Sequence, residues 1–60
     1  MEKWKENVIS KITSDYRILK EDIKSYEFIK YPNSNNYMLK VLYENEKLLF
    51  VTDITPLEWL

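Results

Sequence analysis

The side chains of this 60-residue chain that could do acid, base or metal chemistry are carboxylates, lysines and tyrosines, because histidine, cysteine and glycine do not occur in it. Without histidine and cysteine, the usual general base, the thiol nucleophile and most zinc or haem ligation are excluded. Without glycine, neither a phosphate-cradling loop nor a dinucleotide fingerprint can form, since both need backbone approach that a side chain blocks. The tightest acidic group is Glu44-Asn45-Glu46, with Asp53 a strand further on. A Ca²⁺ loop gathers about six to eight oxygens at regular spacing; this group falls short of that and reads as a solvated turn that sets strand register. Asp15 and Asp22 sit seven residues apart and would share one face of a helix. Acid/base work by two carboxylates needs a concave pocket between them, for which a chain this short leaves little wall. The expectation is a protein that is not an enzyme and takes no metal and no cofactor.

Charge separates few partner classes. Nine basic and ten acidic residues leave a net charge of −1, which gives neither strong attraction to phosphate nor the self-repulsion of an acidic mimic. The part up to Ser25 is slightly basic and the remainder slightly acidic, with Arg17 the only arginine. A sheet bearing Tyr26, Phe28, Tyr31, Tyr37 and Tyr43 could stack bases beside phosphate contacts from lysine, and Lys30, Tyr31, Tyr37 and Lys40 are the patch such a nucleic-acid module would use. The acidic second half disfavours it. Lysine, asparagine, isoleucine, tyrosine and phenylalanine dominate while alanine is absent, a bias that AT-rich codons produce; it suggests a low-GC bacterium, its phages or its mobile elements.

No run approaches the roughly 20 apolar residues of a membrane span, and the polar face of the first segment mixes acidic and basic residues instead of presenting a cationic stripe. The chain is therefore expected to act in the cytoplasm, away from membrane.

The elements that must position any site follow from periodicity. Trp4, Val8, Ile9, Ile12, Tyr16, Leu19 and Ile23 fall within an arc of about 140° at helical spacing, leaving Ile18 off the stripe. The spacing predicts helix over 2–24, as one helix or as a pair meeting near Ser14, where Thr13-Ser14-Asp15 compete for backbone hydrogen bonds. Aromatic and β-branched runs then predict strands at about 26–31, 37–44 and 47–53, separated by Pro32-Asn33-Ser34-Asn35-Asn36 and by Glu44-Asn45-Glu46. The ending 55–60 carries a Thr-x-x-Glu capping box and a proline at the first helical position, so a short turn is expected there, with Trp59 either latching onto the core or presented to a partner. The fold class is α+β: an N-terminal helix or helix pair on a three-stranded antiparallel meander, in a single domain.

Period-two alternation buries Tyr37, Leu39, Val41 and Tyr43 on one face of the second strand. A single helical layer covers only one face of such a sheet. Ile29, Tyr31, Met38, Leu42, Leu49 and Val51 are then the candidates for an uncovered apolar surface, with Trp59 as a further candidate contact. Exposed apolar patches mark interaction surfaces, and a 60-residue domain without disulfide or metal buries only about 60% of its unfolded surface. These features point to a small interaction module that binds and regulates or blocks a protein partner, or pairs with itself as a homodimer; a structural homodimer within a larger assembly is the remaining alternative.

Overall fold

The computed structural model describes residues 2–60. Helix α1 (Lys3–Asp15) is followed by a 3-10 turn (Lys20–Asp22), strands β1 (Ile23–Lys30), β2 (Tyr37–Tyr43) and β3 (Lys47–Ile54), and a C-terminal 3-10 turn (Pro56–Trp59). The strands form one antiparallel sheet in the order β1-β2-β3, and the helix packs on one face of it. The α+β meander expected from the sequence is the fold of the protein.

Helix α1 ends at Asp15, at the break near Ser14 that the sequence offered, but a 3-10 turn and β1 follow it in place of a second helix. Tyr16 closes it, Arg17 adopts a left-handed φ of 56°, and two reversed hydrogen bonds form: Arg17 N–H to Ser14 O at 3.2 Å and Ile18 N–H to Thr13 O at 2.8 Å. This pair of bonds is a Schellman cap, a motif that ordinarily uses glycine at the left-handed position. The Thr13 hydroxyl is engaged in the last turns, donating to Ile9 O and Ser10 O. The cap reverses the chain so that Ile18, off the helical stripe, becomes buried at 6% exposure, while Tyr16 and Leu19, on the stripe, are 56% and 59% exposed. Helical spacing beyond Asp15 is thus coincidental. Ile23 begins β1 instead of ending a helix.

At the other end of α1, Glu2 occupies the cap position without capping; its carboxylate accepts the Trp4 indole N–H at 2.7 Å. Trp4 meets Phe28 edge-on, with ring centroids 5.2 Å apart, and Tyr37 at 4.9 Å, geometries that suit the aromatic quadrupole. Lys5 lies 5.5 Å above the rings of both Trp4 and Phe28. Trp4, Val8 and Ile12 of the helix and Leu39, Val41 and Ile54 of the sheet form the core.

Two bulges shape the sheet. One lies between Ile23 and Ser25, and the other lets β3 advance from Val51 to Ile54 while β2 moves only from Leu39 to Tyr37. Asp53 takes a left-handed φ of 56° in this second bulge, a conformation that aspartate tolerates better than a branched residue. The extra residue returns Ile54 to the helix side, where it is buried. Strict alternation would have put the charged Asp53 there. The Tyr31 hydroxyl accepts the Asp53 N–H at 3.5 Å.

The C-terminal turn forms, but not through a capping box. The Thr55 hydroxyl donates to Asn36 Oδ1 in the β1–β2 loop at 3.1 Å and makes no cap bond. Trp59 packs against the core, and its carbonyl accepts the Asn7 side-chain N–H at 2.6 Å.

Candidate functional site

Which side chains remain available is decided by register. Residues opposite one another in an antiparallel pair share a face. Leu39 lies between Phe28 and Val51, and Val41 between Tyr26 and Leu49; with Leu39 and Val41 buried beneath α1, all six belong to the covered face. On the open face, Met38 lies beside Ile29, Lys40 between Glu27 and Phe50, and Leu42 between Ser25 and Leu48.

Of the seven residues singled out from the sequence, the structure brings Ile29, Met38 and Leu42 together on this open face. Tyr31 joins them at its margin, where its ring reaches from the end of β1 to the β3 bulge. Leu49 and Val51 do not belong there: they are half-buried against the core. Their place on β3 is taken by Leu48 and Phe50, each 52% exposed. Trp59 lies apart, latched beside α1. The alternation of β3 is apolar on both sides and does not reveal its inner face. The connection does: a three-residue turn over Glu44-Asn45-Glu46 pairs Tyr43 with Lys47, so odd-numbered residues face odd-numbered residues, and Leu48 and Phe50 must point outward.

The open face is thus an apolar surface of Ile29, Met38, Leu42, Leu48 and Phe50, crossed by one row in which Glu27 and Lys40 stand side by side on neighbouring strands. No element of the chain among the described residues packs over it. Other exposed apolar side chains are scattered: Tyr16 and Leu19 flank the helix cap, and Leu57 and Leu60 project from the C-terminal turn.

The lysine and aromatic residues considered for nucleic acid are divided between the two faces. Tyr37 packs on Trp4 and shares the covered face with its register partner Lys30, whereas Lys40 and Tyr31 are on the open side. Tyr26, Phe28 and Tyr43 also turn toward the helix. These residues therefore do not come together on one face as a single patch.

A cleft of about 330 Å³ opens between α1 and β1, lined by Glu6, Ile9, Ser10, Lys20, Ile23 and Tyr26. Its size is that of a small-molecule pocket, but its ionisable groups, Glu6, Lys20 and Tyr26, include neither a histidine nor a paired acid and base held together by a hydrogen bond. Among the described residues, no group of three or more acidic side chains is gathered for a metal ion. Glu44 and Glu46 adopt left-handed φ values of 47° and 61° in their turn, and Glu44 bonds Lys47 at 2.9 Å. That carboxylate raises the Lys47 pKa above its ordinary value, so one of the turn's two carboxylates has its counter-charge within the turn's own flank. No described helix is long and apolar enough to cross a membrane.

No known protein family, curated protein or solved structure matches the chain.

Proposed function

We propose that this chain is a non-enzymatic protein-interaction module of the cytoplasm, whose open sheet face docks on a protein partner and regulates or blocks it. The observation that carries this is the uncovered face itself: Ile29, Met38, Leu42, Leu48 and Phe50 lie in register on three adjacent strands, and none of the described residues packs over them. Contiguous apolar surface of this kind is what partners bury. The Glu27–Lys40 row gives such an interface a polar register mark, because a partner must meet both charges to avoid stranding one. The half-exposed Phe50 is the natural anchor, aromatic residues being enriched at the centres of interfaces.

The test is capture from a lysate of the source organism, nuclease-treated and untreated, with the tagged wild-type chain and a Leu42→Glu variant as baits. Leu42 lies on the central strand of the open face, in the row beside the β2–β3 turn, and is only half-buried, so the variant retains its fold, as circular dichroism would verify. A defined protein recovered by the wild type in both arms and lost by Leu42→Glu supports the proposal. Recovery that disappears with nuclease, or that Leu42→Glu leaves intact, counts against it.

A further inference from the structure

The helix side of the sheet is not sealed along its whole length. The cleft of about 330 Å³ is lined from α1 by Glu6, Ile9 and Ser10, from the first 3-10 turn by Lys20, and from β1 by Ile23 and Tyr26. Ile9, Ile23 and Tyr26 also line a narrow apolar recess that leads down to Ile12, Ile18, Leu39 and Val41, so the floor of the cleft is the edge of the core. Above that floor stand two opposite charges. The ion pairs among the described residues are Lys5–Glu2, Lys11–Asp15 and Lys47–Glu44. Neither Glu6 nor Lys20 takes part in one, and they do not pair with each other across the opening.

We propose that this cleft binds a free α-amino acid with a large apolar side chain: Lys20 takes its carboxylate, Glu6 takes its ammonium, and the side chain lies on Ile9 and Ile23 against the Tyr26 ring. The charges select the class. A lone carboxylate is drawn to Lys20 but repelled by Glu6, and a lone amine meets the reverse, whereas a molecule that carries both satisfies both walls at once. The floor selects the side chain, because covering Ile9, Ile23 and the Tyr26 ring removes apolar surface from water. The Ser10 and Tyr26 hydroxyls supply further donors and acceptors at the rim. The volume lies at the lower end of the range of about 300–1,000 Å³ in which small ligands are held, which suits a molecule of amino-acid size. The cleft is on the helix side and the docking face is on the other, so this proposal and the interaction module stand or fall separately.

Backbone amide NMR of the full chain titrated with L-phenylalanine is the test. The wild type shows shifts at Glu6, Ile9, Ser10, Lys20, Ile23, Tyr26 and their immediate neighbours that saturate with a dissociation constant of about 1 mM. N-acetylphenylalanine, which lacks the ammonium, and phenylalanine amide, which lacks the carboxylate, bind at least about threefold more weakly. Glu6→Gln weakens phenylalanine by the same factor and does not weaken N-acetylphenylalanine; Lys20→Met weakens phenylalanine and does not weaken phenylalanine amide. Both side chains are exposed, and the dispersion of the same spectrum reports the fold, so lost binding is told apart from unfolding. Absence of saturable shifts up to about 20 mM phenylalanine, shifts on the open face instead, or equal affinity for the three compounds (the mark of apolar contact alone) would each overturn the proposal. So would tighter binding of N-acetylphenylalanine, the mark of a site for a peptide carboxyl end.

Discussion

The two faces of this sheet are built from the same kinds of residue and do opposite work. On one, Leu39 and Val41 are sealed beneath Trp4, Val8 and Ile12; on the other, Leu42, Leu48 and Phe50 have similar side chains and no cover. Apolar content alone does not distinguish core from interface. What separates them is helix α1, which covers one face and ends at Asp15; among the described residues no other element lies across the opposite face.

That contrast can be broken most severely at its buried centre. Leu39→Ala, at a fully buried position, should cost about 2–5 kcal/mol, enough to leave so small a domain largely unfolded, whereas Leu42→Ala on the open face should cost under about 1 kcal/mol. Urea denaturation of the two variants measures the difference. The latch that completes the covered side is a smaller contribution: Asn7→Ala removes the bond to the Trp59 carbonyl and should destabilise by about 1 kcal/mol, with a matching increase in Trp59 solvent exposure by fluorescence quenching.

Arg17 sharpens the comparison from the opposite direction, because the helix cap decides how much of the sheet is covered. Its left-handed backbone is strained for any residue with a Cβ, so Arg17→Gly should stabilise by about 1 kcal/mol, read as a raised denaturation midpoint. The smallest effect belongs to the exposed surface: Leu48→Lys should change folding stability by no more than about 0.5 kcal/mol while weakening association.

The sequence makes the sheet legible because each strand is bounded by turn-forming residues at 32–36 and 44–46, and because Tyr37, Leu39, Val41 and Tyr43 alternate cleanly. Thr13-Ser14-Asp15 marks where the helix ends, but that no helix resumes beyond it is obscured because the chain contains no glycine: a Schellman cap at Arg17 carries none of the usual sign, and the accidental helical spacing of Tyr16, Leu19 and Ile23 extends the pattern past it. The same absence hides the bulge at Asp53, which returns Ile54 to the core. Met38 and Leu42 were legible as uncovered residues since β2 alternates against a definite inner face; β1 is apolar on both sides, and Ile29 is placed by its pairing with Met38. Leu48 and Phe50 were not, because β3 is apolar on both sides; only the odd-to-odd register imposed by the three-residue turn distinguishes them from Leu49 and Val51. The cleft beside Glu6 and Lys20 arises from the chain reversal after Asp15, a tertiary event with no local pattern.

The central claim is that association belongs to the open face and not to the other exposed apolar side chains. Its most direct test is backbone amide NMR of the isotopically labelled chain, titrated with nuclease-treated lysate of the source organism. The account predicts line broadening confined to the rows around Ile29, Met38, Leu42, Leu48 and Phe50, abolished by Leu42→Glu. Broadening centred instead on Tyr16 and Leu19, or on Leu57 and Leu60, would contradict it.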